Sequence, residues 1–221
     1  MVAALLGVST ARAADSVCYG TVAHGALFGG VQLPPRGPNF EAYSTAGVAA
    51  GRTFVQARVR NVVVEAFAAL EKSAPGKKFV YGETGWASGG RIRPHRTHQN
   101  GLSVDFFVPV TNAAGESVPI PGSLSNRFGY DLEFDANGRI EGYAIDFAAL
   151  GQQLVELERA AKARGVGIAL VIFDRALQPK LFATEHGHHL RDSLPFMKKQ
   201  AWVRHDEHFH VDFDVPCEPL Q

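Results

Sequence analysis

The histidines of this 221-residue chain concentrate in two short segments, each rich in residues that bind metals or move protons. The first reads Pro94-His95-Arg96-Thr97-His98-Gln99-Asn100-Gly101-Leu102-Ser103-Val104-Asp105, and the second His205-Asp206-Glu207-His208-Phe209-His210-Val211. Imidazole and carboxylate are ligands that Zn²⁺ accepts, and a catalytic zinc takes three of them and keeps one position open for water. His98 and Asp105 are too far apart to share a helical turn. They fit a loop running into a strand, where Gly101 lets the backbone turn tightly. His208 and His210 are two residues apart, so on a strand they project from one face. One can bind the metal while the other stands beside its water, and the spacing permits either assignment. His205 sits where that strand begins and can line the same cleft.

These residues need a scaffold. Apolar residues recur at helical spacing from Thr53 to Lys72 (Val55, Val59, Val62, Val63, Phe67, Leu70), and Pro75-Gly76 ends the run. A second amphipathic helix is expected over Phe147 to Arg164, closed by Gly165, and a short one over Arg175 to Glu185. Strands are expected at Lys78–Gly82, Leu102–Val110, Ile168–Phe173 and Arg204–Phe213, with a hairpin around Ala136-Asn137-Gly138. Residues 19–52, rich in Gly and Pro, read as extended loop. Together these elements predict an α+β fold: a small, mostly antiparallel sheet with helices packed on it and the metal site in a cleft on the sheet.

The segment Gly85 to Asp105, with its His-x-x-Gly-x-x-x-Asp core, resembles the metal motif of the penicillin-insensitive murein endopeptidases. These belong to the lysostaphin-type and D-Ala-D-Ala metallopeptidase group, in which that pattern is followed by a later His-x-His. Both halves stand here in order, and the similarity extends to Gly20–Gly30 and Val203–Phe213. The resemblance implies that His98, Asp105 and His210 bind one zinc ion and that His208 is the general base. It makes His95 and His205 additional cleft residues. No Asp-x-x-His pair in the middle region completes a second metal site. The implied activity is hydrolysis of D-alanyl–meso-diaminopimelyl cross-links between peptidoglycan stem peptides. Two alternatives stand beside it: a D,D- or L,D-carboxypeptidase that trims stems, and a non-catalytic wall-binding protein of the same fold.

Around this site, Arg91 follows Ser88-Gly89-Gly90, a loop that can approach a substrate closely, so it is the candidate cation for an oxyanion. A structural ion pair is the equally open reading of Arg91. Glu83 borders the same loop and is a candidate to orient a ligand histidine. His186, His188 and His189 read as solvated in a polar turn, and His24 has no neighbour of ligand character. No serine has Lys three residues later, which excludes the acyl-enzyme motif of penicillin-binding enzymes. Lys+Arg and Asp+Glu are both 22, so the basic excess of a nucleic-acid-binding protein is missing. At 46% hydrophobic residues, the sequence contains no apolar run of the ~20 residues that span a bilayer.

Residues 1–13 combine a short apolar core with a small-x-small site, Ala11-Arg12-Ala13, and read as an export signal to the periplasm. Residues 14–221 then form a single metallopeptidase domain. Cys18 and Cys217, near its two ends, are either a disulfide tying the termini together or two separate thiols.

Overall fold

The structure is a computed structural model that describes residues 16–221, and its architecture is α+β. The apolar segment 1–13 lies outside the described residues. The elements that build the site are strands β1 (Val17–Thr21), β2 (His24–Phe28), β3 (Phe40–Ala42), β4 (Phe79–Tyr81), β5 (Ser103–Phe107), β6 (Gly167–Ile172) and β7 (His208–Asp214), with helices α1 (Ala57–Ser73) and α2 (Phe147–Ala163). Five strands form the central sheet in the order β6-β7-β5-β4-β3. Every neighbouring pair is antiparallel except β3–β4. A smaller four-stranded sheet joins Val110–Asn112, Ser117–Val118, Arg139–Ile140 and Tyr143–Ile145.

The β5–β7 register positions the chemistry. His210 lies opposite Asp105, His208 opposite Phe107 and Asp212 opposite Ser103. Because successive side chains on a strand alternate between faces, these polar residues share one face. Val104, Phe106, Phe209 and Val211 take the other, where the core forms. There Phe106 and Phe209 stack at 5.2 Å between centroids, and Phe67 from α1 meets Phe106 at 6.2 Å. Both stacked rings are fully buried, each worth about 1.5–3 kcal/mol of apolar burial. α1 buries Val59, Val62, Val63, Ala66, Phe67 and Leu70, the helical stripe expected from the sequence. Asp146 caps α2 by accepting the Ala149 N–H at 3.0 Å and pairs with Lys77 at 2.6 Å.

Several local expectations are corrected. α1 starts at Ala57 rather than Thr53, because Phe54–Val55 pairs as a strand with Val31–Gln32 and buries Val55 there. Residues 19–52 are not simply extended loop: they carry the rest of the β1–β2 hairpin, strand β3 and a short helix, Thr45–Ala49. The expected strand over 102–110 divides at Pro109, and the one over 204–213 begins only at His208. The hairpin of the small sheet turns at Glu141-Gly142, with Gly142 at φ 75°, rather than at Asn137-Gly138. His186, His188 and His189 lie on or at the start of a short helix, Gly187–Ser193. His188 is exposed, but His186 bonds Gln152 at 2.7 Å and His189 bonds Glu158 at 2.6 Å, so these two help dock that helix on α2.

Cys18 and Cys217 form a disulfide across a sequence separation of 199. It ties β1 to the C-terminal segment, which also bonds through Gly20 N–H to the Glu218 carbonyl at 2.8 Å. Closing so long a loop restricts the unfolded chain, so the double variant Cys18→Ala/Cys217→Ala is expected to lose about 2–5 kcal/mol of stability. Denaturant titration under non-reducing conditions measures it; an unchanged midpoint would contradict this role.

Candidate metal centre and its cleft

His98 stands on the loop that enters β5 and holds a left-handed backbone, φ 68°, which a non-glycine residue seldom adopts. The loop closes at Gly101, φ 78°, where an added Cβ would come within 2.7 Å of the Gln56 backbone nitrogen. A side chain there is excluded on both counts. The His98 amide donates to Ser103 Oγ at 3.3 Å, and its ring Nδ1–H donates to the Thr84 carbonyl at 3.3 Å. Its Nε2 therefore presents a lone pair. That atom is fully buried, lies 3.2 Å from Asp105 Oδ1, and has no hydrogen-bond partner. Burial keeps the imidazole below its usual pKa in spite of Asp105, so it is neutral and able to coordinate.

His210 Nδ1 approaches the same Asp105 oxygen at 2.9 Å. Its Nε2–H donates to Asp212 Oδ1 at 2.8 Å, and Ser103 Oγ donates to that same oxygen at 2.5 Å. An imidazole between two carboxylates satisfies both only by carrying two protons. Burial opposes that charge, but Asp212 and Asp105 outweigh it and push His210 up to about 10. A cation replacing the Nδ1 proton would leave the Asp212 bond intact, which is the arrangement that orients a metal-binding histidine. Burial works against ionised Asp105 as well, yet the charge of His208 and the hydrogen bond from His210 hold it well below the usual carboxylate range. The orphaned His98 Nε2, the His210 Nδ1 and the Asp105 carboxylate thus fit a zinc ion in donor type, with the His210 Nδ1 proton released on binding.

Two further histidines reach Asp105 from its other oxygen. His95 Nδ1 is 3.6 Å from Oδ2 and His208 Nε2 is 3.9 Å from it. His95, His98 and Asp105 also bring one ligand atom each within 4.8 Å of one another, a group that could hold a metal ion. His95 Nε2, however, is bonded to Glu83 Oε2 at 2.6 Å. Glu83 therefore orients His95. Arg52 and Tyr43 hold Glu83 in turn, with Nη2–Oε2 at 2.8 Å and Oη–Oε1 at 2.8 Å. Burial opposes ionisation of Glu83, but His95 and Arg52 overcome it and bring the carboxyl down to about 2. His208 Nδ1 bonds Glu207 Oε1 at 2.7 Å, which turns its Nε2 toward the cleft. Burial would depress His208, yet Glu207 and Asp105 raise it above its usual range. His205, pushed down to about 3 by burial and His208, is neutral and packs 4.7 Å from the His208 ring.

Tyr130 was not singled out by the sequence. Its hydroxyl donates to Asp105 Oδ2 at 3.2 Å and accepts the Glu83 N–H at 2.7 Å. Burial, then the charges of Asp105 and Glu83, raise it far above the usual phenol range, so it remains a donor. Tyr130→Phe removes a support of a proposed ligand and is expected to weaken zinc binding by about 10–100-fold. Chelator competition measures this; wild-type affinity would show that Tyr130 only packs.

The cluster floors a cavity of about 680 Å³. Tyr43, Gly47, Leu124, Phe128, Trp202 and Val203 also line it. Arg91 is exposed, does not line this cavity and forms no ion pair among the described residues. Its backbone carbonyl accepts from Trp86 Nε1 at 3.3 Å. Arg52, Arg93, Arg127 and Arg204 are the arginines that line the cavity.

The family model described as penicillin-insensitive murein endopeptidase matches residues 18–220. The chain belongs to this family. A comparison with curated proteins finds no match. Both histidine segments and the disulfide lie within the matched span, so the murein endopeptidase match takes in the whole site described above. Among the described residues, no helix of this murein endopeptidase is long and apolar enough to cross a membrane.

Proposed function

We propose that the chain is a zinc-dependent endopeptidase that hydrolyses D-alanyl–meso-diaminopimelyl cross-links between murein stem peptides. His98, Asp105 and His210 would hold one zinc ion, and His208 would be the general base. The observation that carries the reading is the buried, unpartnered His98 Nε2 beside an oxygen that His210 Nδ1 also approaches. The zinc would supply Lewis-acid activation of water and of the scissile carbonyl.

The chain's own residues supply the proton handling and the positioning. Glu207 fixes the proton of His208 on Nδ1 and stabilises the imidazolium. The free Nε2 then takes a proton from the attacking water and returns it to the leaving amine. Asp212 and Thr84 hold the rings of His210 and His98. Tyr130 and the Glu83–His95 pair keep the Asp105 carboxylate in place. The family's substrate lies in the cell wall and the Cys18–Cys217 bond suits an oxidising compartment, so periplasmic export belongs to the same proposal.

Purified, zinc-loaded protein incubated with cross-linked muropeptide dimers is expected to release two stems. Release of a free amino acid would instead identify a carboxypeptidase. Dimers left intact across a wide pH range would refute the endopeptidase reading.

A further inference from the structure

A second groove, of about 860 Å³, borders the edge strand β6 and is used by no step above. Leu170, Phe182 and Phe196 give it an apolar floor, the two phenyl rings meeting edge to face at 5.1 Å. Arg175, Arg191, Lys198 and Lys199 stand exposed around it, against one carboxylate, Asp192. Asp192 is shared between His188 at 3.2 Å and Arg191 at 3.5 Å. Arg175, Lys198 and Lys199 have no ion-pair partner among the described residues, so the groove carries a local positive excess on a chain of zero net charge.

The groove and the cleft both border the segment 197–205. A narrow hollow between them shares Met197 and Lys199 with the groove, and Val203, Arg204 and His205 with the cleft. The segment that carries the lysines is anchored to the sheet edge. The Val171 N–H donates to the Pro195 carbonyl at 3.1 Å, and the Met197 N–H to the Val171 carbonyl at 2.8 Å. Lys198 and Lys199 therefore extend from a held backbone.

We propose that this groove is a distal subsite for an acidic peptide: the carboxylate-bearing stem that continues from the bond held in the cleft. The inference rests on murein peptides being what the cleft takes. Charge complementarity favours a carboxylate-rich partner, and the apolar floor suits alanyl methyls and the aliphatic chain of a diamino acid. The groove's place beside the cleft, along the segment 197–205 that both border, favours a partner that also reaches the cleft over a membrane surface.

The test uses the monomeric tetrapeptide stem as probe, a ligand without a cross-link to cut, followed on the backbone amides of residues 196–199 by NMR. The stem is expected to shift these amides in wild-type protein and equally in His210→Ala, with affinity falling as salt rises. Lys198→Glu/Lys199→Glu, its fold checked by circular dichroism, is expected to bind about tenfold more weakly. The same variant is expected to raise KM for cross-linked dimers with kcat unchanged. Arg175→Ala gives a second, milder reading should the double variant fold poorly. Wild-type affinity in the charge-reversed protein overturns the subsite. So does loss of the amide shifts in His210→Ala, or binding of phosphatidylglycerol vesicles but not of the stem. If no dimer is cut yet the stem still binds through the lysines, the proposed chemistry falls and the subsite stands.

Discussion

His208→Ala is expected to lower kcat on cross-linked muropeptides by about 10²–10⁴-fold, the usual contribution of a positioned general base, while bound zinc stays stoichiometric. The geometry separates the two effects. His208 Nε2 lies 3.9 Å from Asp105 Oδ2, whereas His98 Nε2 and His210 Nδ1 stand 3.2 and 2.9 Å from Oδ1. His208 is thus beside the ligand cluster and is held by Glu207 rather than by the residues that hold His98 or His210. Glu207→Gln keeps a hydrogen-bonding side chain but not the charge that raises His208, so it should lose less activity than His208→Ala does and move the acidic limb of the kcat profile to lower pH. Steady-state kinetics with zinc quantified on the same samples decides the matter. A His208→Ala protein that loses its zinc would make His208 a ligand, the alternative its two-residue spacing from His210 leaves open.

The second large effect is loss of the metal itself. His98→Ala and His210→Ala each remove one of three proposed ligands, and zinc affinity is expected to fall by more than the ~100-fold that loss of a supporting residue costs. Asp212→Asn should sit within that smaller range, because it leaves the His210 ring in place but weakens the bond at Nε2. His95→Ala is the informative contrast. Its ring is bound to Glu83, so its removal is expected to leave zinc in place and to reduce turnover by disturbing the cleft. Equilibrium dialysis across these four variants orders them, and equal losses in His95→Ala and His210→Ala would make His95 a ligand of the same rank.

How much of this was legible in the sequence depends on the range of the contact. The alternation of His208 and His210 on a strand is a local property, as is the turn at Gly101, and both read correctly. Asp212 has the same parity as His208 and His210, so the alternation already aimed it at the site; its acidic side chain was the available signal. Glu207 is one residue from His208, but it precedes β7, so strand parity gives no direction for it. Tyr130 and Ser103 reach their partners across 25 and 109 residues, and nothing local announces such contacts. For Arg91 a glycine-rich neighbourhood suggested close approach to substrate, and its side chain is exposed and outside the cavity lining. Residues 19–52 were read as extended loop for their Gly and Pro, yet Gly20, at φ 64°, lies within β1 and pairs with Gly25 of β2. The α+β class and the core face of α1 followed from periodicity alone, since those patterns repeat over many residues.

The most direct test is the zinc content of the purified chain, measured by mass spectrometry of the metal after dialysis, for wild type, His98→Ala, Asp105→Ala and His210→Ala. One zinc per wild-type chain, with little or none in each variant, is the expected result. A wild-type chain that holds no zinc when zinc is supplied, or a His210→Ala chain that keeps a full equivalent, would contradict the proposed centre.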